Sequence, residues 1–199
     1  MKTKLIPVLL LCSLVAACSP EEDPALADQN SVFAMLEEFG RVNAAGDYEK
    51  AWDFLSQAKQ ESFRLLLSQP ITGAIDTVAN LRPIVEPESK ADASEKERVK
   101  GILAKFPPWE TLKNMTPKQY YAWRMEHDYP PERKKQATTF YHRDNIQRME
   151  LEANSGYIDY VPTDAKRQYL VKEGGKWKFG LEPKLEREFA ATKTKAEKR

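Results

Sequence analysis

The chain has 199 residues, 41% of them hydrophobic and 31% charged, a polar-leaning balance that still suits one folded domain. Its 31 basic and 30 acidic residues leave a net charge of +1, which excludes the strongly basic surface of a nucleic-acid binder. Two cysteines and two histidines exclude a zinc ribbon, a disulfide scaffold and most metal enzymes, so no metal and no cofactor is expected.

The N-terminus carries an address. Lys2 and Lys4 form a positive start, and residues 5–17 are apolar apart from Ser13. Thirteen residues fall short of the roughly 20 that a membrane-spanning helix needs, so residues 1–17 are expected to be a signal peptide. The segment ends Val15-Ala16-Ala17-Cys18. This run resembles the lipobox of bacterial lipoproteins, matching it at all four positions. The resemblance implies that Cys18 becomes the mature N-terminus and carries acyl chains, palmitate among them. With Cys12 inside the signal, the mature chain would hold no cysteine free to form a disulfide. Ser19 is not the Asp that resembles an inner-membrane retention signal in enterobacterial lipoproteins. Attachment to the outer membrane, facing the periplasm, is therefore expected.

Residues 18–30 are acidic, contain two prolines and lack periodicity, so they read as a tether. Val32, Met35, Leu36, Phe39 and Val42 then fall at helical spacing behind a Ser31 or Asn30 cap. Gly46 suits a left-handed stop, and Asp47 suits the next cap. Tyr48, Ala51, Trp52 and Leu55 make one apolar face. Phe63, Leu66 and Leu67 continue a helical stripe that should end at Pro70, with a further helix over 71–81 halted before Pro83. Residues 86–93 read as a loop. Ser94 with Glu97, and Thr116 with Gln119, have capping-box spacing. The helix after Pro117 sets Tyr120, Trp123 and Arg124 on one side and Tyr121 and Met125 on another.

After Arg133 the spacing predicts strands. Ala137, Thr139 and Tyr141 alternate with Thr138, Phe140 and His142, and Met149 and Leu151 alternate with charged neighbours. Tyr169 and Val171 lead into the turn Gly174-Gly175, answered by Trp177, Phe179 and Leu181. Residues 186–199 read as a charged tail, frayed helix or disorder. Helices followed by a strand meander predict an α+β domain over residues 31–185. Its N-terminal helices pack on a curved antiparallel, cone-like sheet, with a helical insertion at about 70–135.

Two segments carry a resemblance. The stretch from Phe39 through NAAGDYEKAWDFLS to Ser56 and YLVKEGGKWKFGL (residues 169–181) resemble the opening helices and last hairpin of the nuclear transport factor two-like, cystatin-like cone superfamily. The resemblance implies a curved sheet around a long helix with a pocket between them. It also brings in catalytic members of the ketosteroid isomerase and polyketide cyclase type, which use an Asp or His base with tyrosine donors. On this sequence those would be His142 and Asp144, with Tyr141, Tyr157 and Tyr160 as donors. The simpler reading of His142 and Asp144 is a solvated strand end beside an Asp-Asn turn, so no catalytic residue is assigned.

Trp109, Tyr120, Trp123 and Arg124, bounded by prolines, form either a packed lid or a partner surface. The favoured function is an envelope-anchored, non-catalytic lipoprotein that binds an envelope protein or a small apolar ligand, its membrane contact made through the acyl chains. The competing reading is a small-molecule enzyme in the cone pocket. Two titratable groups converging inside a closed apolar pocket would favour the enzyme.

Overall fold

The computed structural model describes residues 23–128, 130–161 and 167–197. The signal segment 1–17 and Cys18 lie outside them. The order among the described residues is α1 Pro24–Ala44, α2 Tyr48–Trp52, α3 Gln57–Val85, α4 Ala93–Leu103, α5 Trp109–Leu112, α6 Pro117–Asp128 and α7 Pro131–Phe140. A short 3-10 turn, Arg143–Asn145, then leads into β1 Ile146–Leu151, β2 Ser155–Tyr160, β3 Gln168–Glu173, β4 Lys176–Phe179 and α8 Pro183–Glu197. The protein is α+β, with helices packed on a curved four-stranded antiparallel sheet and a helical insertion.

The first helix begins inside the expected tether. Asp23, not Ser31 or Asn30, is its cap and accepts from the Ala25 amide at 3.0 Å, with Pro24 in the first turn. Residues 24–30 are helical because they have something to grip. Asp28 accepts from Lys172 Nζ at 2.6 Å and from Trp177 Nε1 at 3.2 Å. Val32, Leu36, Phe39 and Val42 are buried as their spacing predicts. Gly46 takes φ +74° to end the helix, and Asp47 accepts from the Lys50 amide to open α2. Tyr48, Ala51, Trp52 and Leu55 are all buried.

The long helix α3 differs from the predicted pair of helices, because it runs through Pro70 and Pro83. Both prolines sit on its exposed side, where water can take up the carbonyls left without an amide. Ala74 and Val78, on the other side, pack with Leu112 and Tyr120 as a second hydrophobic cluster. That packing carries the helix across both breakers. The cap of α4 is Asp92, not Ser94. The Thr116–Gln119 box forms as predicted, each residue's amide donating to the other's side chain.

The sheet has the order β1-β2-β3-β4, antiparallel throughout. Gly174 and Gly175 turn the last hairpin at positive φ. Its register pairs Leu170 with Phe179 and Lys172 with Trp177. Leu170, rather than Tyr169 or Val171, thus joins Trp177 and Phe179 in the core. A two-residue turn fixes that choice, since a slip of one residue would reverse every side chain. The edge of β4 is covered by the segment after α2. Ser56 N donates to Phe179 O and Phe179 N donates to Phe54 O, each at 2.8 Å.

The main core joins Val32, Leu36 and Phe39 of α1 to Ile158, Tyr160, Leu170, Trp177 and Phe179 of the sheet, all 7% exposed or less. The space that the cone resemblance reserves for a pocket between helix and sheet is filled there by side chains. The charged end is helical from Glu186 to Glu197. Glu186 accepts from Ser56 Oγ and from the Leu181 amide, each at 2.8 Å.

Candidate functional site

A cavity of about 530 Å³ opens among the helices, at the C-terminal end of α1. Helix α1 supplies Phe39 and Asn43, α2 Tyr48, α3 Phe63, α6 Tyr121 and Met125, and α7 Lys134, Ala137 and Phe140, with Tyr141 just beyond. The walls are mostly rings set edge to face. Phe39 and Tyr141 centroids are 4.8 Å apart, Phe63 and Tyr121 5.6 Å, and Phe140 and Tyr141 5.0 Å.

Helical spacing builds this wall. Residues 137–140 belong to α7 rather than to a strand, so Ala137, Phe140 and Tyr141 share a side at i, i+3 and i+4. Lys134 lies one turn earlier on the same stripe. Gly40 lets α7 approach α1, since a Cβ there would meet Ala137 O at 3.1 Å and Thr138 Cα at 3.3 Å.

Two polar side chains matter in the wall. Asn43 is 8% exposed, and its Nδ2 donates to Phe39 O at 2.8 Å. An amide has two donors and an acceptor, so this one bond leaves polar capacity on the cavity. The Lys134 ammonium sits 2.7 Å from Glu126 Oε1 and 5.7 Å above the Tyr48 ring. The hydrogen bond to Glu126 holds it above the usual lysine range, so it is charged. Lys134 is the lining side chain that carries a full charge.

The sequence candidates lie elsewhere. His142 and Asp144 are not on a strand. They bracket the start of the 3-10 turn before β1. His142 Nδ1 lies 3.3 Å from Asp144 Oδ2, and both side chains are half exposed or more. They border a shallow depression with Thr138, Thr139 and Asn145, apart from the ring-lined cavity. The α7 helix sets Phe140 and Tyr141 together on the cavity side and leaves His142 outside it. Of the named donors, Tyr157 lies on the outer face of the sheet between the Arg148 and Arg167 guanidinium groups. Tyr160 is buried behind Phe140 and Tyr141, and burial pushes its hydroxyl well above the ordinary tyrosine range.

The aromatic helix divides as its spacing predicts. Tyr121 and Met125 face the cavity. Tyr120 is 4% exposed in the second cluster, and Trp109 packs there under the Arg82 guanidinium, 5.3 Å from its ring. Trp123 stacks between Tyr120 and His127, while Arg124 is exposed and paired with Asp128. Trp109 and Tyr120 are therefore packing residues.

Sequence reasoning missed Asn43, Phe63 and Lys134 as lining residues. Asn43 sits on a face otherwise apolar, which is a signal that could have been read. Lys134 lies in a run of charges and gives none. Among the described residues, no cluster of His, Cys, Asp or Glu could hold a metal, and no helix is long and apolar enough to cross a membrane. Comparison with family models, curated proteins and solved structures finds no match to this chain.

Proposed function

We propose that this protein is a lipid-anchored, non-catalytic component of the bacterial envelope that holds a small apolar ligand in the cavity among α1, α6 and α7. The observation that carries the ligand reading is the wall itself. Phe39, Phe63, Tyr121, Phe140 and Tyr141 enclose a volume suited to a small molecule, and His142 and Asp144, the acid–base candidates, lie apart from it. An acid–base enzyme needs its groups within reach of a bound substrate. Anchoring is supported by the apolar segment 5–17 ending in Val15-Ala16-Ala17-Cys18. The lipobox and cone-superfamily resemblances belong to this reading as well.

The test has two arms. The wild-type chain should fractionate with membranes, and Cys18→Ser should release it. The Cys18→Ser chain should bind the neutral apolar dye Nile red, and adding Met125→Lys, which places a charge in the wall, should abolish binding while the melting curve is kept. A Cys18→Ser chain that stays membrane-bound overturns the anchor. Dye binding that ignores Met125→Lys overturns the cavity.

A further inference from the structure

The charge pattern at the cavity narrows what the ligand can be. Its wall holds aromatic rings, three of them tyrosines, the buried Asn43 amide, the exposed Gln136 amide and one ammonium. The ammonium is engaged by Glu126, which reaches it from α6 across the gap to α7 at 2.7 Å. The two halves of this pair are unequal. The Lys134 side chain is 24% exposed and the Glu126 side chain 49%. Glu126 can therefore let go into water at little cost, as exposed ion pairs contribute little. Lys134 cannot leave the rim so readily. Its ammonium lies over the Tyr48 ring, 5.7 Å from the centroid.

An ammonium has three donors, and Glu126 is its one carboxylate partner among the described residues. A ligand with an anionic head can replace Glu126 without leaving a charge unpaired. A neutral head cannot compensate Lys134 if it displaces Glu126, and a cationic head is repelled. The rest of the wall asks for an apolar body, and Asn43 adds a hydrogen-bonding group deep in that wall.

We propose that the ligand is an apolar monocarboxylate, its body against Phe39, Phe63, Tyr121 and Phe140 and its carboxylate on Lys134 in place of Glu126. This inference rests on the reading of the cavity as an apolar ligand site. Glu126 then acts as a resident competitor that holds the mouth paired when no ligand is bound. A carboxylate of matched body is preferred over the corresponding alcohol, because a hydrogen bond to a charged donor is the stronger kind.

The experiment displaces Nile red from the Cys18→Ser full chain with decanoate, decanol and decyltrimethylammonium, the two ions below their micelle concentrations and the alcohol below its solubility limit. Decanoate should displace the dye at about tenfold lower concentration than decanol, with the cation weakest. Lys134→Met should erase the difference and leave decanol unchanged, while Lys134→Arg should retain it if the methionine variant fails to fold. Glu126→Gln should strengthen decanoate several-fold by removing its competitor. Equal displacement by all three compounds, or a decanoate preference that survives Lys134→Met, overturns the carboxylate assignment and leaves the apolar cavity standing. Failure of Nile red to bind overturns both.

Discussion

The Tyr160 ring stacks on Phe140 at 4.8 Å and meets Tyr141 at 6.1 Å, yet its hydroxyl has no hydrogen-bond partner among the described residues. A buried polar atom without a partner gives up its hydration for nothing, at a cost of about 1–3 kcal/mol. The ring fills the core; the oxygen does not contribute to holding it. Tyr160→Phe should therefore raise stability by about 1 kcal/mol. The midpoint of a urea transition would show it, with the slope unchanged. A loss of stability would mean that the hydroxyl is satisfied in solution. Asn43 and Lys134 are the contrasting cases, polar groups placed at a cavity rather than sealed in a core.

At the scale of elements, one serine makes bonds to α3, β4 and α8 at the end of α2. Ser56 is fully buried. Its Oγ accepts from the Lys59 amide at 3.1 Å, capping α3, and donates to Glu186 at 2.8 Å, tying in α8. Its backbone amide donates to Phe179 O on the sheet edge. Ser56→Ala should cost about 1–3 kcal/mol, a lost cap together with a carboxylate short of one donor. The cost should shrink in a Glu186→Ala background, because the two residues act through one bond. Equal costs in both backgrounds would show that the cap alone matters. Such a junction is invisible to periodicity. Ser56 and Glu186 are 130 residues apart, and nothing in the spacing around either points to the other. The α2 face and the Thr116–Gln119 box were legible because their partners lie within one or two turns.

At the scale of the whole molecule, the described residues form two hydrophobic clusters joined along α3 and α6. The first contains Val32, Phe39, Trp52, Trp177 and Phe179, and the second Ala74, Val78, Leu112 and Tyr120. Leu67 packs against both. The insertion over 70–135 is thus not an appendage, since its helix α6 closes the cavity that the first core leaves open. The folded unit also begins earlier than its sequence suggests. A chain starting at Ser31 loses Asp28 and with it the contacts to Lys172 and Trp177. It should melt several degrees below a chain starting at Asp23, a difference that differential scanning calorimetry would read. Identical melting curves would return residues 23–30 to the role of a tether.

Local chemistry determined much of this protein. Gly46-Asp47 between two apolar helical faces, and Gly174-Gly175 between alternating strands, each specify their turn through backbone angles and neighbouring side chains. The α+β order follows from the change of period along the chain. Tertiary structure decided three things. It carried α3 through Pro70 and Pro83, which lie on its exposed side while Ala74, Val78, Leu67, Ile71 and Ile75 pack into the second cluster. It made residues 137–140 a helix, because packing Gly40 against Ala137 needs α7 beside α1, although the alternation there reads as a strand. It also assembled the cavity, whose walls come from five helices and whose ammonium is placed by a carboxylate eight residues away on another helix. A pattern in sequence reports what one element buries. A site between elements depends on their packing angles, and those are set by cores that no single stretch of the chain contains.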